Sequence, residues 1–279
     1  FIERVKREFP LHEILRSNPI LQHLRSIKEP EEIELLQKAC NITEKGVRRL
    51  LSFVKPGVWE YEIEAELMHE FLRNRSKGFA YTPIIASGEN ANVLHYIANN
   101  MQCKDGDLIL LDIGAEYANY SSDLTRMIPV NGKFTARQKE IYNAVLDMKN
   151  FATSLLVPGN NWYDYHKECG EFYTSKFLEL GLLDKADVQN QDKNWPAYKK
   201  YMMHGTSHHL GLDTHDYGIL KDKFVENMVF TVEPGIYLPA EGFGVRIEDD
   251  VVIQNSGPAF NLMKNIPIEV EEIEELMNS

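Results

Sequence analysis

The sequence predicts an α+β fold in which a duplicated unit forms a curved antiparallel sheet with helices packed on its outer face. Three observations lead to this prediction. The chain contains amphipathic helical segments, it contains apolar β-rich runs that end in carboxylates, and both recur in the same order in its two halves. A repeated series of helix, turn, helix, histidine, strand, acid, strand and acid indicates an internal duplication.

The helices of each half are predicted from apolar periodicity. Residues 30–54 place apolar side chains at helical spacing, with proline and acidic residues at the start, which is how a helix begins. A Pro-Gly turn at 56–57 follows, and the Glu-rich segment after it resumes the helical period. Residues 134–156 predict the matching long helix of the second half, and 158–159 repeat the turn.

One hairpin is predicted after each pair of helices. The segments DGDLILLDIGAEY and ENMVFTVEPGIYL each join a polar turn, an apolar run and one carboxylate, Asp112 or Glu233, just before a glycine turn. A second strand-like run then carries another carboxylate, Asp123 or Glu248. His95 lies upstream of the first hairpin, and the histidine-rich stretch HGTSHHLGLDTHD lies upstream of the second.

These four carboxylates are expected to meet around divalent cations. Burying a carboxylate without a compensating cation costs on the order of several kcal/mol. Arg126 and Arg246 are close in sequence, but two arginines cannot balance four acids. Any one acid could equally be a solvated residue or a salt-bridge partner. Together they favour a pair of metal ions, and a mostly oxygen ligand set suits harder ions such as manganese.

Two neighbouring acids and one histidine receive a structural interpretation instead. Asp249 and Asp250 are interpreted as solvated residues or salt-bridge partners, because strand alternation points Asp249 away from Glu248. The cluster HGTSHHLGLDTHD by itself leaves a metal site and a polar surface loop both open. Its two glycines oppose a helix, which disfavours a zinc site of the helical type. In an extended stretch, His209 faces away from His208.

Length and composition indicate an ordinary globular protein. The chain has 279 residues, of which 43% are hydrophobic, enough for one large domain or two modest ones. A formal charge of -12 disfavours nucleic acid or an anionic membrane as a partner. Three dispersed cysteines without a CxxC arrangement favour a reducing, cytoplasmic location. No apolar run approaches the ~20 residues of a membrane helix.

Five motifs carry a resemblance to a known family: LLDIGAEY, SSDLTR, HGTSHHLGLDTHD, TVEPGIY and GVRIEDD. They resemble the pita-bread metallopeptidases of the creatinase/aminopeptidase fold, and among these most the Xaa-Pro aminopeptidases (aminopeptidase P). The resemblance runs from about residue 26 to the end of the chain and implies a duplicated α+β sheet enclosing two metal ions. It also implies that residues 1–25 are a remnant or linker of a missing N-terminal domain, that 26–279 are the catalytic domain, and that the missing domain supports a possible homodimer.

The resemblance further implies a role for each site residue. The implied metal ligands, among which Asp123 and Glu248 bridge both ions, are Asp112, Asp123, His208, Glu233 and Glu248. The implied catalytic groups are Glu233 as acceptor of the proton of the attacking water, His215 near the substrate carbonyl, and His95 as a proton shuttle or orienting group. The implied substrate contacts are His204 toward the proline-side pocket, Arg246 toward a peptide carboxylate or a neighbouring acid, and, more weakly, Tyr81 and Tyr237.

The implied function is hydrolysis of the N-terminal Xaa-Pro bond of a peptide, which releases the first residue. Two divalent metal ions are implied, Mn²⁺ first, with Co²⁺ or Zn²⁺ as alternatives. The nearest alternative is prolidase, which cleaves only Xaa-Pro dipeptides and shares every ligand; the SHHLGLDTHD segment and the DLTRMIPVNGKFT run favour the aminopeptidase. Methionine aminopeptidase ranks lower because its histidine loop differs from NANVLHY. A non-catalytic binding module is disfavoured because all five ligand positions are intact.

Overall fold

A computed structural model describes residues 1–279 of the chain. The α-helices, numbered in chain order, are α1 Ile2–Glu8, α2 Asn18–Ser26, α3 Pro30–Phe53, α4 Glu60–Arg73, α5 Ala136–Ser154, α6 Trp162–Glu179, α7 Lys185–Gln189 and α8 Val270–Met277. The strands are β1 Ile84–Ser87, β2 Leu108–Ile113, β3 Glu116–Tyr117, β4 Tyr120–Ser121, β5 Leu124–Pro129, β6 Val229–Val232, β7 Gly235–Leu238, β8 Phe243–Arg246, β9 Asp249–Val252 and β10 Phe260–Asn261.

Both predicted long helices are present. The helix predicted over 30–54 is α3, and the helix predicted over 134–156 is α5, which is two residues shorter at each end. Thr135 sets the start of α5. Its hydroxyl accepts from the main-chain N–H of Gln138, whose side chain in turn accepts from the N–H of Thr135. This capping box satisfies two donors that would otherwise lack helical partners, so the helix begins after Thr135.

The strands form two matching sets, as the duplication predicts. One three-stranded sheet has the order β1-β2-β5 and the other has the order β10-β9-β6. Each is accompanied by a two-stranded hairpin, β3-β4 or β7-β8. Every pairing is antiparallel. The run β2 to β5 in the first half therefore corresponds to the run β6 to β9 in the second half.

An isolated bridge joins the two sets of strands. Thr125 of β5 pairs with Glu248, the residue just before β9. Close by, the main-chain N–H of Asp123 donates to the carboxylate of Asp250 at 3.0 Å. We call this junction the seam. The seam brings the residues that precede β5 and β9 to the same place, and both of these residues are acids.

A glycine closes the first hairpin tightly. A Cβ on Gly114 would lie 1.8 Å from the main-chain oxygen of Ser122, so no other residue fits there without moving the backbone. Gly114 lies two residues after Asp112, and Ser122 lies one residue before Asp123. The close backbone approach therefore holds these two carboxylates opposite each other.

One continuous hydrophobic core connects the two halves. It contains 62 buried residues drawn from both three-stranded sheets and from α3, α4, α5, α6 and α8, so the two halves form a single domain. Residues 1–25 contribute no buried side chain to it. The three cysteines are buried free thiols. None of the helices combines the length and the apolar character of a membrane span.

Candidate metal centre and active-site cavity

A cavity with a volume of about 600 Å³ opens at the seam. Ten of the eleven residues predicted for the site line it: Tyr81, His95, Asp112, Asp123, His204, His208, His215, Glu233, Arg246 and Glu248. The eleventh, Tyr237, is only 1% exposed and does not line the cavity. The two halves of the chain thus bring distant predicted residues into one cleft.

Three of the predicted ligands form a compact donor group. One donor atom from each of Asp123, His208 and Glu248 lies within 4.8 Å of the other two. His208 Nε2 is 3.3 Å from an oxygen of Asp123 and 3.6 Å from an oxygen of Glu233. This group unites the first half of the chain with the second.

Asp112 joins this group through a tyrosine hydroxyl. The hydroxyl of Tyr81 lies 2.7 Å from one carboxylate oxygen of Asp112 and 2.6 Å from one of Asp123. The other oxygen of Asp112 accepts from Arg246 Nη2 at 2.5 Å. Tyr81, a weak candidate on sequence grounds, therefore lies between two of the predicted ligands.

Main-chain hydrogen bonds between the segment before β6 and residues 231–233 position His208 and Glu233. The N–H of Thr231 donates to the carbonyl of His208 at 3.0 Å, and the N–H of Glu233 donates to the carbonyl of Thr206 at 2.8 Å. The His208 ring also contacts a main-chain carbonyl, with Nδ1 2.9 Å from the oxygen of His209, which leaves Nε2 facing the acids. Metal-binding histidines are commonly oriented in this way by a carbonyl at the second ring nitrogen.

Burial and crowding shift the pKa values of these groups. Burial, reinforced by the charges of Asp123, Glu233 and Asp112, raises the pKa of Glu248 well above its usual range. Burial also raises the pKa of Glu233 to about 7, against the opposing charge of His208. Although burial favours a neutral imidazole, the hydrogen bond and charge of Asp123, together with the charge of Glu233, raise the pKa of His208 to about 9. The chain's own cationic side chains therefore do not balance the negative charge of these carboxylates.

The donor set fits divalent metal ions. Four buried or half-buried carboxylates and one imidazole converge here, and Arg246 is the one Lys or Arg side chain that lines the cavity. Its guanidinium already pairs with Asp112. Divalent cations would supply the missing positive charge, and oxygen-rich ligands with one histidine suit the harder divalent ions.

His204 is held by a chain of hydrogen bonds behind the cavity. Arg246 Nη1 donates to the Tyr237 hydroxyl at 2.8 Å, and that hydroxyl is 2.7 Å from His204 Nε2. The other ring nitrogen of His204 is 2.7 Å from the carbonyl of Gly205. Burial, followed by the charge of Arg246, lowers the pKa of His204 to about 3. His204 is therefore neutral, and Tyr237 supports it from behind.

Two further histidines line the cavity from loops. The His215 ring lies edge-on to that of His208, with centroids 4.3 Å apart. Burial and then the charge of His208 lower the pKa of His215, so its imidazole is neutral near neutral pH. His95 is exposed at the cavity mouth, in the connection between β1 and β2. His209 faces away, as predicted, and packs against Phe230 with centroids 4.4 Å apart.

The two acids that we had interpreted as structural differ from each other. Asp249 is a buried salt-bridge partner of Arg126 and Lys149, within that interpretation. Asp250 is neither solvated nor paired with a cation. It is 0% exposed, and it accepts from the N–H of Asp123 and from the thiol of Cys40. Strand alternation alone misses this contact, because it forms across the seam.

Comparisons with known proteins identify the family of the chain. Residues 34–255 match metallopeptidase family M24. The Xaa-Pro aminopeptidase of Haemophilus influenzae is 42% identical over 278 residues, which are 95% of this chain and 64% of that protein. The Xaa-Pro dipeptidase of Mus musculus is 34% identical over 307 residues, covering 93% of this chain and 62% of that protein. The chain thus spans less than two thirds of the length of these relatives.

Solved structures give the same result for the fold. Aminopeptidase P from Escherichia coli with the inhibitor Pro-Leu has a TM-score of 0.87 and 38% identity, covering 95% of this chain and 62% of that one. Proline aminopeptidase P II from Yersinia pestis has a TM-score of 0.85 and 36% identity, covering 94% of this chain and 62% of that one. This likeness confirms the pita-bread fold predicted from the sequence.

Proposed function

The chain belongs to metallopeptidase family M24, and from this premise we propose that it hydrolyses the N-terminal Xaa-Pro bond of peptides and releases the first residue. The observation that carries the proposal is the convergence of Asp123, His208 and Glu248 in one cavity, with each donor atom within 4.8 Å of the others. Its relatives named Xaa-Pro aminopeptidase support the same substrate class.

Five side chains would hold two divalent metal ions: Asp112, Asp123, His208, Glu233 and Glu248. When bound, the ions supply Lewis acidity and lower the pKa of water, as two-metal hydrolases require. We infer manganese as the first candidate, because four of the five ligands are carboxylates, with cobalt and zinc as alternatives.

The chain's own groups would handle the protons and the substrate. Glu233 lines the cavity beside His208 and would accept the proton of the attacking water. His215 would donate a hydrogen bond to the carbonyl oxygen of the scissile bond as negative charge develops there. His204, held neutral beside the cluster, would contact the proline side of the substrate, and His95 would orient the peptide from the connection between β1 and β2.

The environment of Arg246 favours an aminopeptidase over a prolidase. A dipeptide leaves its terminal carboxylate close to the scissile bond, where a cation would stabilise it. Arg246, the one Lys or Arg that lines the cavity, already donates to Asp112, Tyr237 and Thr125. A longer peptide places its carboxylate farther away and needs no such contact. The lower identity to the Xaa-Pro dipeptidase, 34% against 42%, points the same way.

A metal-reconstitution assay with two substrates tests the proposal. We expect protein freed of metal and then supplied with Mn²⁺ to cleave a Gly-Pro-Xaa tripeptide and to lose this activity on chelation. A Gly-Pro dipeptide serves as the comparison. Turnover of the dipeptide alone would instead assign the chain to the prolidases, and no turnover of either peptide with any of the three metals would contradict a peptidase.

A further inference from the structure

The loop from Val93 to Met101 forms one wall of the cavity without any helix or strand. It carries Leu94, His95 and Ile97, and all three line the cavity. One main-chain hydrogen bond within the loop, from the Tyr96 N–H to the Val93 carbonyl, closes a single turn. Side-chain contacts must therefore hold the loop in place.

Two buried side chains make these contacts. Asn99 accepts from the N–H of Ile85 and donates to the Pro83 carbonyl and to the Glu64 carboxylate, each at 3.0 Å. A buried glutamate, Glu60, holds the loop at two other points, Tyr96 and Met101. Glu60, in the first turn of α4, is 0% exposed. One of its oxygens accepts from the N–H and the hydroxyl of Ser87, at 2.8 and 2.7 Å, and from the amide of Asn90 at 3.3 Å. The other oxygen accepts from the hydroxyl of Tyr96 at 2.8 Å and from the N–H of Met101 at 2.9 Å.

The five donors come from the segment before the loop and from two points within it. Ser87 and Asn90 precede it, Tyr96 lies in its middle, and Met101 ends it. The N–H of Glu60 also donates to the carbonyl of Met101 at 3.0 Å, so the end of the loop is held twice. Glu60 has no cationic partner. Five donors and the positive end of the α4 dipole stabilise its charge instead.

We propose that Glu60 is a positioning residue for His95: its buried carboxylate fixes Tyr96 and Met101 of loop 93–101, and thereby the imidazole at the cavity mouth. The closest link is Tyr96, which follows His95 directly and donates to Glu60. This inference rests on the proposed peptidase function, because it assigns the geometry of a substrate-orienting histidine. Neither Glu60 nor Tyr96 contacts a predicted metal ligand, so the role is separate from metal binding.

Tyr96→Phe tests the link, because it removes one hydroxyl and leaves the ring. We expect kcat/KM for an Xaa-Pro-Xaa tripeptide to fall about tenfold, since small misplacements of an orienting group are costly. His95→Ala should lower it about 100-fold. The double variant Tyr96→Phe/His95→Ala should equal His95→Ala alone, because Tyr96 acts through His95. Additive losses in the double variant would overturn the proposal.

Tyr61→Phe is the matched control. Tyr61 follows Glu60 on α4, but its side chain is 51% exposed and stacks on Trp59. Removing its hydroxyl should therefore leave kcat/KM unchanged. Glu60→Gln keeps the shape of the side chain but turns an amide donor toward the donors of the loop. It should lower kcat/KM more than Tyr96→Phe does.

Two readouts do not depend on activity. The ring resonances of His95 should shift in Tyr96→Phe and stay unchanged in Tyr61→Phe, and amide hydrogen exchange across 93–101 should accelerate about tenfold or more in Glu60→Gln. Unchanged exchange and unchanged resonances would overturn the positioning role whether or not the protein is a peptidase. If the wild-type protein cleaves no Xaa-Pro peptide but the variants show both effects, the proposed function is overturned. Glu60 then remains the residue that orders the loop.

Discussion

Thr125 and Glu248 join the two halves of the molecule at the seam. The Thr125 hydroxyl donates to a carboxylate oxygen of Glu248 at 2.7 Å, and the N–H of Glu248 donates to the carbonyl of Thr125 at 3.1 Å. Thr125 is fully buried and pairs with Asp112 across β2 and β5. Its hydroxyl also accepts from Arg246 Nε at 3.2 Å. One small side chain therefore aligns proposed ligands from both halves.

Thr125→Val should weaken both the fold and metal binding. Valine keeps the shape of threonine but leaves Arg246 Nε and an oxygen of Glu248 without a partner, which should lower the free energy of unfolding by about 1–3 kcal/mol. The affinity for Mn²⁺ should fall about 10–100-fold, as for other groups that orient ligands. Urea unfolding and calorimetric titration of metal-free protein measure the two effects. Thr174→Val, which removes a hydroxyl bonded only within α6, should leave Mn²⁺ affinity unchanged.

Asp123→Asn should abolish peptide turnover without unfolding the chain. The amide keeps the shape of the carboxylate and removes one negative charge from a crowded cluster, so the metal-free protein should remain folded. Mn²⁺ should raise the melting temperature of the wild type, because it binds the folded state, and should no longer do so in the variant. Circular dichroism and a tripeptide assay measure both. Near-normal turnover would count against a bridging role for Asp123.

Arg25 should stabilise the loop that carries His215. Arg25 Nη2 lies 2.6 Å from a carboxylate oxygen of Asp216 and 2.8 Å from one of Asp213. Asp216 is also held from within the loop, because it accepts from the N–H of Tyr217 at 2.7 Å. The clamp comes from the last residue of the segment interpreted as a linker, so we propose that the catalytic unit depends on Arg25.

The test of this clamp is Arg25→Ala. Removing the guanidinium leaves the buried carboxylate of Asp216 with a weaker partner, so unfolding should become easier by about 1–3 kcal/mol. Amide exchange over 211–217 should accelerate, and kcat/KM for a tripeptide should fall. Arg4→Ala removes an exposed helical ion pair and should change stability by less than about 0.5 kcal/mol. An equal effect of the two substitutions would contradict the clamp.

Lys28 should make the free energy of unfolding depend on pH in the alkaline range. Burial lowers its pKa to about 8, although the charge of Asp216 acts in the opposite direction. Because an unfolded lysine keeps its proton up to about pH 10.4, the unfolded state binds more protons between these two values. The free energy of unfolding of the wild type, relative to Lys28→Met, should therefore rise with pH across this window. Urea unfolding at about pH 7, 8.5 and 10 measures it.

The control for this pH dependence is Lys104→Met, which removes an exposed ammonium group. The difference in unfolding free energy between the wild type and Lys104→Met should stay constant over the same pH range. A constant difference for Lys28→Met as well would mean that Lys28 is as solvated in the folded chain as in the unfolded chain.

Much of the site could be predicted because its signals are local. Asp112 follows an apolar run directly and precedes a glycine turn, and the same pattern recurs around Glu233. Helical periodicity found α3 and α5 to within two residues at each end. Alternation along an extended stretch separated His208 from His209. Each of these features depends on residues that are only a few positions apart.

Sequence alone therefore determined which residue types face the cleft, in what order, and that the chain repeats itself. Only the tertiary structure decided which partners hold them. Asp250 reaches the N–H of Asp123 across 127 positions, Thr125 reaches Glu248 across 123, and Glu60 gathers donors from up to 41 positions away. Such contacts leave no periodic trace, because their geometry exists only after two distant strands or a helix and a loop have packed together.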